Sequence, residues 1–196
     1  MAVPVLPDDH PTRLNLGCGF DLREGYLNVD IHDFHHPDLV ADVTRLDMLP
    51  SGHYEEILAQ DVLEHLPRTS TVAVLQEWSR LLAEGGRLHI RVPSVVDLAE
   101  LMKASDRQAI EQQELLVQCL FGTQAYTEDT HYTTFTEPLL RHYLDQADLD
   151  VGDWRLRDEW LFEVDAVRRP RSAVANASAA GDGRLSGLVG RLRRPR

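Results

Sequence analysis

Apolar positions along the chain fall into short runs separated by glycine, proline and acidic residues. Residues 13–16, with Leu14 and Leu16, predict a first strand, and residues 26–30 a second. Residues 39–42 predict a short third strand. Residues 57–60 predict a fourth, apolar enough to be buried on both faces. Residues 88–92 alternate as a fifth strand, stopped by Pro93. Between these last two, Val72, Leu75, Trp78, Leu81 and Leu82 fall on one helical face over residues 69–84. Thr69 or Ser70 is placed to cap that helix, and Gly85-Gly86 to end it. Two helical stretches broken near Ser105-Asp106 follow over residues 95–121, then a polar, aromatic-rich loop to Thr136 and a helix over 137–147. Residues 151–156 and 160–167 predict a closing antiparallel pair. The order is that of an α/β, Rossmann-like, doubly wound sheet, mostly parallel and seven-stranded, with a terminal antiparallel strand.

The first strand runs straight into Gly17-Cys18-Gly19. Glycines there let the backbone turn sharply and bring its N–H groups against a ligand. Only residues 20–25 separate Gly19 from the second strand, too few for a full crossover helix of about a dozen residues. The first helix therefore shrinks to about a turn. The second strand ends on Asp30, whose carboxylate suits a ribose diol. A nucleoside-containing cofactor is the reading. It is not a nicotinamide dinucleotide: Leu22 stands where the third glycine of that fingerprint belongs, and the acid comes early. No Gly-x-x-x-x-Gly-Lys phosphate loop occurs either.

The remaining motifs are Ala41-Asp42-Val43, Leu49-Pro50, Asp61-Val62-Leu63-Glu64-His65-Leu66, Trp78-Ser79-Arg80-Leu81-Leu82, Gly85-Gly86-Arg87-Leu88 and Val92-Pro93. With the glycine loop, in this order and spacing, they resemble the class I S-adenosylmethionine-dependent methyltransferases. The likeness runs over about residues 13–167 and is greatest to the small bacterial type associated with sugar, polysaccharide or natural-product pathways. It implies S-adenosyl-L-methionine as cofactor and methyl transfer to a hydroxyl or amine of a small molecule or glycan. The alternative is a catalytically inactive, methyltransferase-like binding or scaffold subunit, which would have no need of a complete cofactor site.

The resemblance implies a role for each cofactor-side residue. Gly17 and Gly19 approach the methionyl end, with Cys18 packed between them. Asn15 stands where the family often has an acid near the methionyl amine. Asp30 takes the ribose and Ile31 covers the adenine. Asp42 and the Val43 backbone read the adenine edge, and Gln60 and Asp61 flank the methionyl amine or the transferring methyl. His131 and His65 are the candidates for catalytic base, since imidazole titrates near neutrality. No metal is expected. The alternative is a divalent ion held by Asp61, Glu64, His65 and His131, as in some magnesium-dependent members of the superfamily. The cluster His32, Asp33, His35, His36 and Asp38 reads as a solvated loop. Phe121, Tyr126, Tyr132 and Phe135 could line an acceptor pocket or pack a lid, and Trp78 belongs to the core.

Composition narrows the partners. At 196 residues and 43% apolar, the chain suits one domain with a substantial core. The net charge of −12 hides a basic end: from Arg168 onward there are eight arginines against Asp182 alone. The rest is strongly acidic, which disfavours a nucleic-acid partner. The basic end could touch an anionic surface weakly. No apolar run is long enough to span a membrane. Cys18 and Cys119 form no disulfide framework, so reduced thiols in a cytoplasm are expected. The domain reading is a flexible arm over residues 1–12, a methyltransferase domain over 13–169 with a lid at about 94–136, and a disordered tail over 170–196. The oligomeric state is open.

Overall fold

The computed structural model describes residues 10–125 and 128–170; the arm before His10, Tyr126 and the tail beyond Pro170 lie outside them. Among the described residues seven strands form one sheet: β1 (Arg13–Leu16), β2 (Leu27–Asp30), β3 (Leu39–Val40), β4 (Tyr54–Gln60), β5 (Leu82–Pro93), β6 (Leu149–Arg157) and β7 (Leu161–Arg168). Their order is β3-β2-β1-β4-β5-β7-β6. The five from β3 to β5 run parallel, and β7 is antiparallel to both β5 and β6. This is the Rossmann-like arrangement that the order of the runs predicts.

Four α-helices among the described residues accompany the sheet: α1 (Thr71–Leu81), α2 (Val95–Lys103), α3 (Ile110–Phe121) and α4 (Glu137–Gln146). No helix joins β1 to β2; turns at Gly19–Phe20 and Glu24–Gly25 do so instead. Two asparagines hold this short link. The Asn15 amide donates to the Asp21 carbonyl (2.7 Å) and to Asn28 Oδ1 (3.0 Å), and Arg23 N–H donates to the same Asn28 oxygen (2.8 Å).

The sheet is apolar on one face. Leu14, Leu16, Val29, Ile57, Leu88, Ile90, Val92 and Val164 are buried against Val74, Leu75 and Trp78 of α1 and Leu140 and Leu144 of α4. Helix face and strand alternation thus meet in a single core. The other face of β4, β5 and β7 is polar. Glu56, Gln60, Arg87, His89, Arg91, Glu163 and Asp165 line an open cleft of about 530 Å³ there, with Leu58 tucked beneath them. The apolar residues of β4 are buried on both faces as expected: Ile57 and Ala59 enter the core, and Leu58 is buried on the opposite face, at the floor of the polar cleft.

The Gly85-Gly86 expectation is corrected. Helix α1 stops at Leu81 and the chain enters β5 directly at Leu82, with both glycines inside the strand. The carbonyls of Arg80 and Leu81 accept from Gly52 N–H (2.9 Å) and His53 N–H (3.0 Å), so the helix end is satisfied without a glycine cap. Gly86 is needed for proximity: a Cβ there would meet the Tyr54 carbonyl at 2.8 Å.

Between β5 and α4 the chain leaves the sheet and returns to the same place. Ser94 bridges Phe135, Val95 N–H donates to the Phe135 carbonyl (3.0 Å), and Phe135 N–H donates to the Pro93 carbonyl (3.3 Å). The excursion carries α2, capped by Ser94 Oγ accepting from Asp97 N–H, and α3. Phe135 is fully buried in the core and Phe121 is exposed outside the cavity lining, so among the described aromatic residues considered for the acceptor pocket Tyr132 alone borders the cavity described next.

Candidate active site

Strands β1, β2, β3 and β4 all point their carboxyl ends at one open cavity of about 910 Å³. In parallel α/β sheets this edge is where ligands bind, because the loops that leave the strands diverge there. Asn15, Gly17, Cys18, Gly19, Asp30, Ile31, Asp42, Val43, Gln60 and Asp61 all line it, together with His65, Tyr132 and Asp129. The sequence motifs thus converge on a single space.

The glycine loop is tightly held. Gly17 and Gly19 have φ of +60° and +50°. Cys18 N–H donates to the Val29 carbonyl (3.1 Å), extending the pairing of β1 with β2 past the strand end. The Cys18 thiol is buried, and burial followed by the charge of Asp30 pushes its pKa up to about 12. It stays a neutral thiol and packs.

Asp30 lies at the glycine-loop end of the cavity. Its Oδ2 accepts from Gly19 N–H (2.8 Å) and its Oδ1 from His32 N–H (2.9 Å), with the His35 ring Nδ1 also 2.9 Å from Oδ1. Burial alone would raise its pKa. The hydrogen bonds from His32, His35 and Gly19 outweigh it and hold the carboxyl below its usual value. The 32–38 cluster is therefore not simply solvated. The His35 side chain is only 12% exposed because it folds back onto Asp30. Sequence reading missed this pair, since a short turn over Asp33–His35 creates it.

Next to Asp30, Ile31 is exposed beside the cavity. Asp42 Oδ1 accepts from Thr44 N–H (2.9 Å) and Thr44 Oγ (2.7 Å), forming an Asx turn. The Val43 carbonyl accepts from the indole N–H of Trp78 (2.9 Å), so a core residue sets the height of that loop.

Gln60 and Asp61 lie opposite. Gln60 Oε1 accepts from Arg23 (3.1 Å). Asp61 takes a left-handed backbone, φ +55°, and Arg91 grips its carboxylate through Nε (2.9 Å) and Nη2. Arg91 reaches it because β4 pairs with β5 so that Gln60 lies beside Arg91. This partnership was also invisible in the sequence.

Next to them Leu63–His65 forms one short turn. Glu64 is 1% exposed, and burial raises its carboxyl well above the usual range. His65 borders the cavity. Its ring meets that of His131 edge-on, with centroids 4.7 Å apart. Burial, then the neighbouring His65, lowers the pKa of His131. Glu64, His65 and His131 each offer a donor atom within 4.8 Å of the others. Asp61 does not join them, being held by Arg91. The loop with His131 is stitched to the turn with Glu64, whose carbonyl accepts from Tyr132 N–H (2.8 Å) and Thr133 N–H (3.2 Å).

Comparison with known proteins bears on the fold. A family model described as methyltransferase domain matches residues 13–90, from β1 to the middle of β5. No curated protein sequence matches the chain. Among solved structures, a SAM-dependent methyltransferase from Methanosarcina mazei superposes with a TM-score of 0.60 at 15% identity, over 80% of this chain and 92% of that one. A possible exported protein from Bordetella parapertussis gives 0.57 at 14% identity, over 82% of this chain but only 63% of that one. The 1,6-didemethyltoxoflavin-N1-methyltransferase of Burkholderia thailandensis, solved with its substrate and S-adenosylhomocysteine, gives 0.53 at 17% identity, over 81% and 71%. No helix among the described residues is long and apolar enough to cross a membrane. Residues 13–90 are thus similar to the methyltransferase-domain family, and the fold around them is shared with solved SAM-dependent methyltransferases.

Proposed function

We propose that the protein transfers the methyl group of S-adenosylmethionine to a hydroxyl or amine of a small molecule or glycan. One observation carries this reading. The cavity bordered by the glycine loop and Asp30 continues without a break to His65 and Tyr132, and at about 910 Å³ has room for a cofactor and a modest acceptor together. In this reading Asp30 holds the ribose, Asp42 and Val43 the adenine, and Gly17 and Gly19 the methionyl end. Gln60 and Asp61 border the methyl. Segment 94–136 closes over the acceptor.

The cofactor brings the reactive sulfonium, so the protein need only align the acceptor lone pair, exclude water and let a proton leave. Proton departure belongs at the His65–His131 end of the cavity. The acidic surface outside the basic tail disfavours a polyanionic acceptor. The toxoflavin enzyme acts on a small heterocycle, which supports a small acceptor here by analogy of fold alone. Both cysteines are free thiols, which suits a reducing cytoplasm.

Calorimetric titration with S-adenosylhomocysteine, on the wild type and on Asp30→Ala, tests the cofactor site. Micromolar binding that collapses in the variant is expected. Transfer of labelled methyl to a panel of sugars, phenols and amines then tests the acceptor. A folded protein that binds the cofactor and methylates none of them would favour the inactive scaffold.

A further inference from the structure

Polar side chains on the open face of the sheet join into one hydrogen-bonded chain across β4, β5 and β7. His89 of β5 lies directly opposite Asp165 of β7, and its Nδ1 is 2.8 Å from Asp165 Oδ1. Gln60 of β4 lies beside Arg91 in the register, two residues beyond His89, so Gln60 and His89 are diagonal neighbours on one face. Gln60 Nε2 is 3.1 Å from His89 Nε2, and Gln60 Oε1 is 3.1 Å from Arg23 Nη2. Arg23 reaches in from the short link between β1 and β2, where Asp21 holds it through Nε (3.0 Å) and Nη2 (2.7 Å).

Only one arrangement of protons satisfies this chain. A guanidinium donates and never accepts, so the Gln60 oxygen must face Arg23. The Gln60 amide nitrogen then donates toward His89, whose Nε2 must offer its lone pair. The ring proton is left on Nδ1, which donates it to Asp165. Glu163 does not compete. Its Oε1 is 3.7 Å from His89 Nε2, too far for a hydrogen bond, and accepts from Arg157 (3.0 Å). Arg91 is engaged by Asp61.

We propose that His89 and Asp165 are positioning residues that lock the orientation of the Gln60 amide at the boundary between the polar cleft and the cofactor cavity. Gln60 lines both spaces. A flipped amide would set its NH2 group against Arg23 and its oxygen against the His89 lone pair, losing two hydrogen bonds at once. Asp165 closes the remaining escape, because it keeps the ring proton on Nδ1 and so keeps His89 Nε2 an acceptor. What the locked amide does for the cofactor rests on the function proposed above, in which Gln60 borders the methyl. There it presents the same atoms to every incoming cofactor, with its orientation fixed before binding.

Two measurements test this. Long-range proton–nitrogen correlation spectra of the full chain read the histidine tautomers, with the His89 signals identified by their loss in His89→Leu. The neutral His89 ring is expected to carry its proton on Nδ1. A neutral ring protonated on Nε2, or a mixture of both tautomers, overturns the lock.

Calorimetry with S-adenosylhomocysteine reads the consequence. His89→Leu should lose about fivefold in affinity, the worth of one hydrogen bond, without a lower urea midpoint. Asp165→Ala should lose affinity in the same direction. His89→Gln, whose amide oxygen can accept from Gln60, should recover most of the loss. In a Gln60→Ala background His89→Leu should cost nothing further. If it costs as much there, or if His89→Leu keeps full affinity while Gln60→Ala does not, His89 does not act through Gln60 and the proposal fails. If Gln60→Ala binds as tightly as the wild type while the Nδ1 tautomer holds, the lock stands and the placing of Gln60 beside the cofactor is what falls.

Discussion

A Cβ placed on Gly17 would stand 2.6 Å from Cγ2 of Val62, closer than carbon atoms in a folded protein approach without a bond. The glycine loop is therefore packed against the segment leading to Glu64 and His65, with no room for a side chain. Gly19, with a similar left-handed backbone, has nothing within 4 Å of that position. Both Gly17→Ala and Gly19→Ala incur backbone strain of about 1–2 kcal/mol. Only Gly17→Ala adds overpacking, typically about 1–3 kcal/mol more. Urea denaturation should rank Gly17→Ala as the less stable, and calorimetry should show it losing more affinity for S-adenosylhomocysteine. Equal losses would mean that Val62 yields freely and the loop is not packed as described.

Asp30 should mark the acid side of the stability profile. Its folded pKa lies below the unfolded value of about 3.9. The stability it contributes is therefore complete above about pH 4 and is lost as pH falls through the lower folded value. Asp30→Asn removes the charge that Gly19, His32 and His35 surround, and should cost about 1–3 kcal/mol at neutral pH. Denaturation of the ligand-free protein at several pH values checks this. The wild-type and variant curves should converge in acid, and a constant gap down to pH 2 would contradict the assignment.

These two residues were legible in the sequence for different reasons than their neighbours were not. Alternation of Leu14 and Leu16, and of Leu88, Ile90 and Val92, is a local property, and it carried the sheet and its core. The glycine loop and Asp30 sit at strand ends, so finding the strands located them. Arg91 reaches Asp61 only through the register of β4 on β5, and Phe135 enters the core only because it bridges Ser94. Such relations join residues far apart in sequence and leave no periodic trace. Gly85-Gly86 misled for a related reason: a helix stop and a crowded strand both select glycine, and Tyr54 decides between them.

Trp78 links core packing to the cavity. It is fully buried, and its indole N–H donates to the Val43 carbonyl. Trp78→Phe keeps an aromatic ring but orphans that carbonyl, at about 1–3 kcal/mol, and the missing ring volume adds to the loss. Since Val43 lines the cavity, affinity for S-adenosylhomocysteine should fall along with stability. Thermal denaturation and calorimetry on one preparation test the link. Full affinity in a destabilised variant would show that the 41–44 loop is placed independently of Trp78.

Gly122 offers a way to disturb the histidine end of the cavity alone. Its φ is +78°, and a Cβ there would drive into the Asp129 carbonyl, which accepts from Gln124 N–H (3.0 Å). That contact closes the loop that leads to His131, whose N–H returns to the Phe121 carbonyl. Gly122→Ala must therefore open the loop and shift His131 away from Glu64 and His65. The cofactor-side residues Gly17, Asp30 and Asp42 lie on other loops and should keep their geometry. Affinity for S-adenosylhomocysteine is expected to stay within about twofold of wild type, less than the 1.4 kcal/mol that a tenfold change represents, while kcat for methyl transfer falls steeply. If affinity and kcat fell together, the 122–131 loop would be part of the cofactor site, and the division of the cavity into a glycine-loop end and a histidine end would fail.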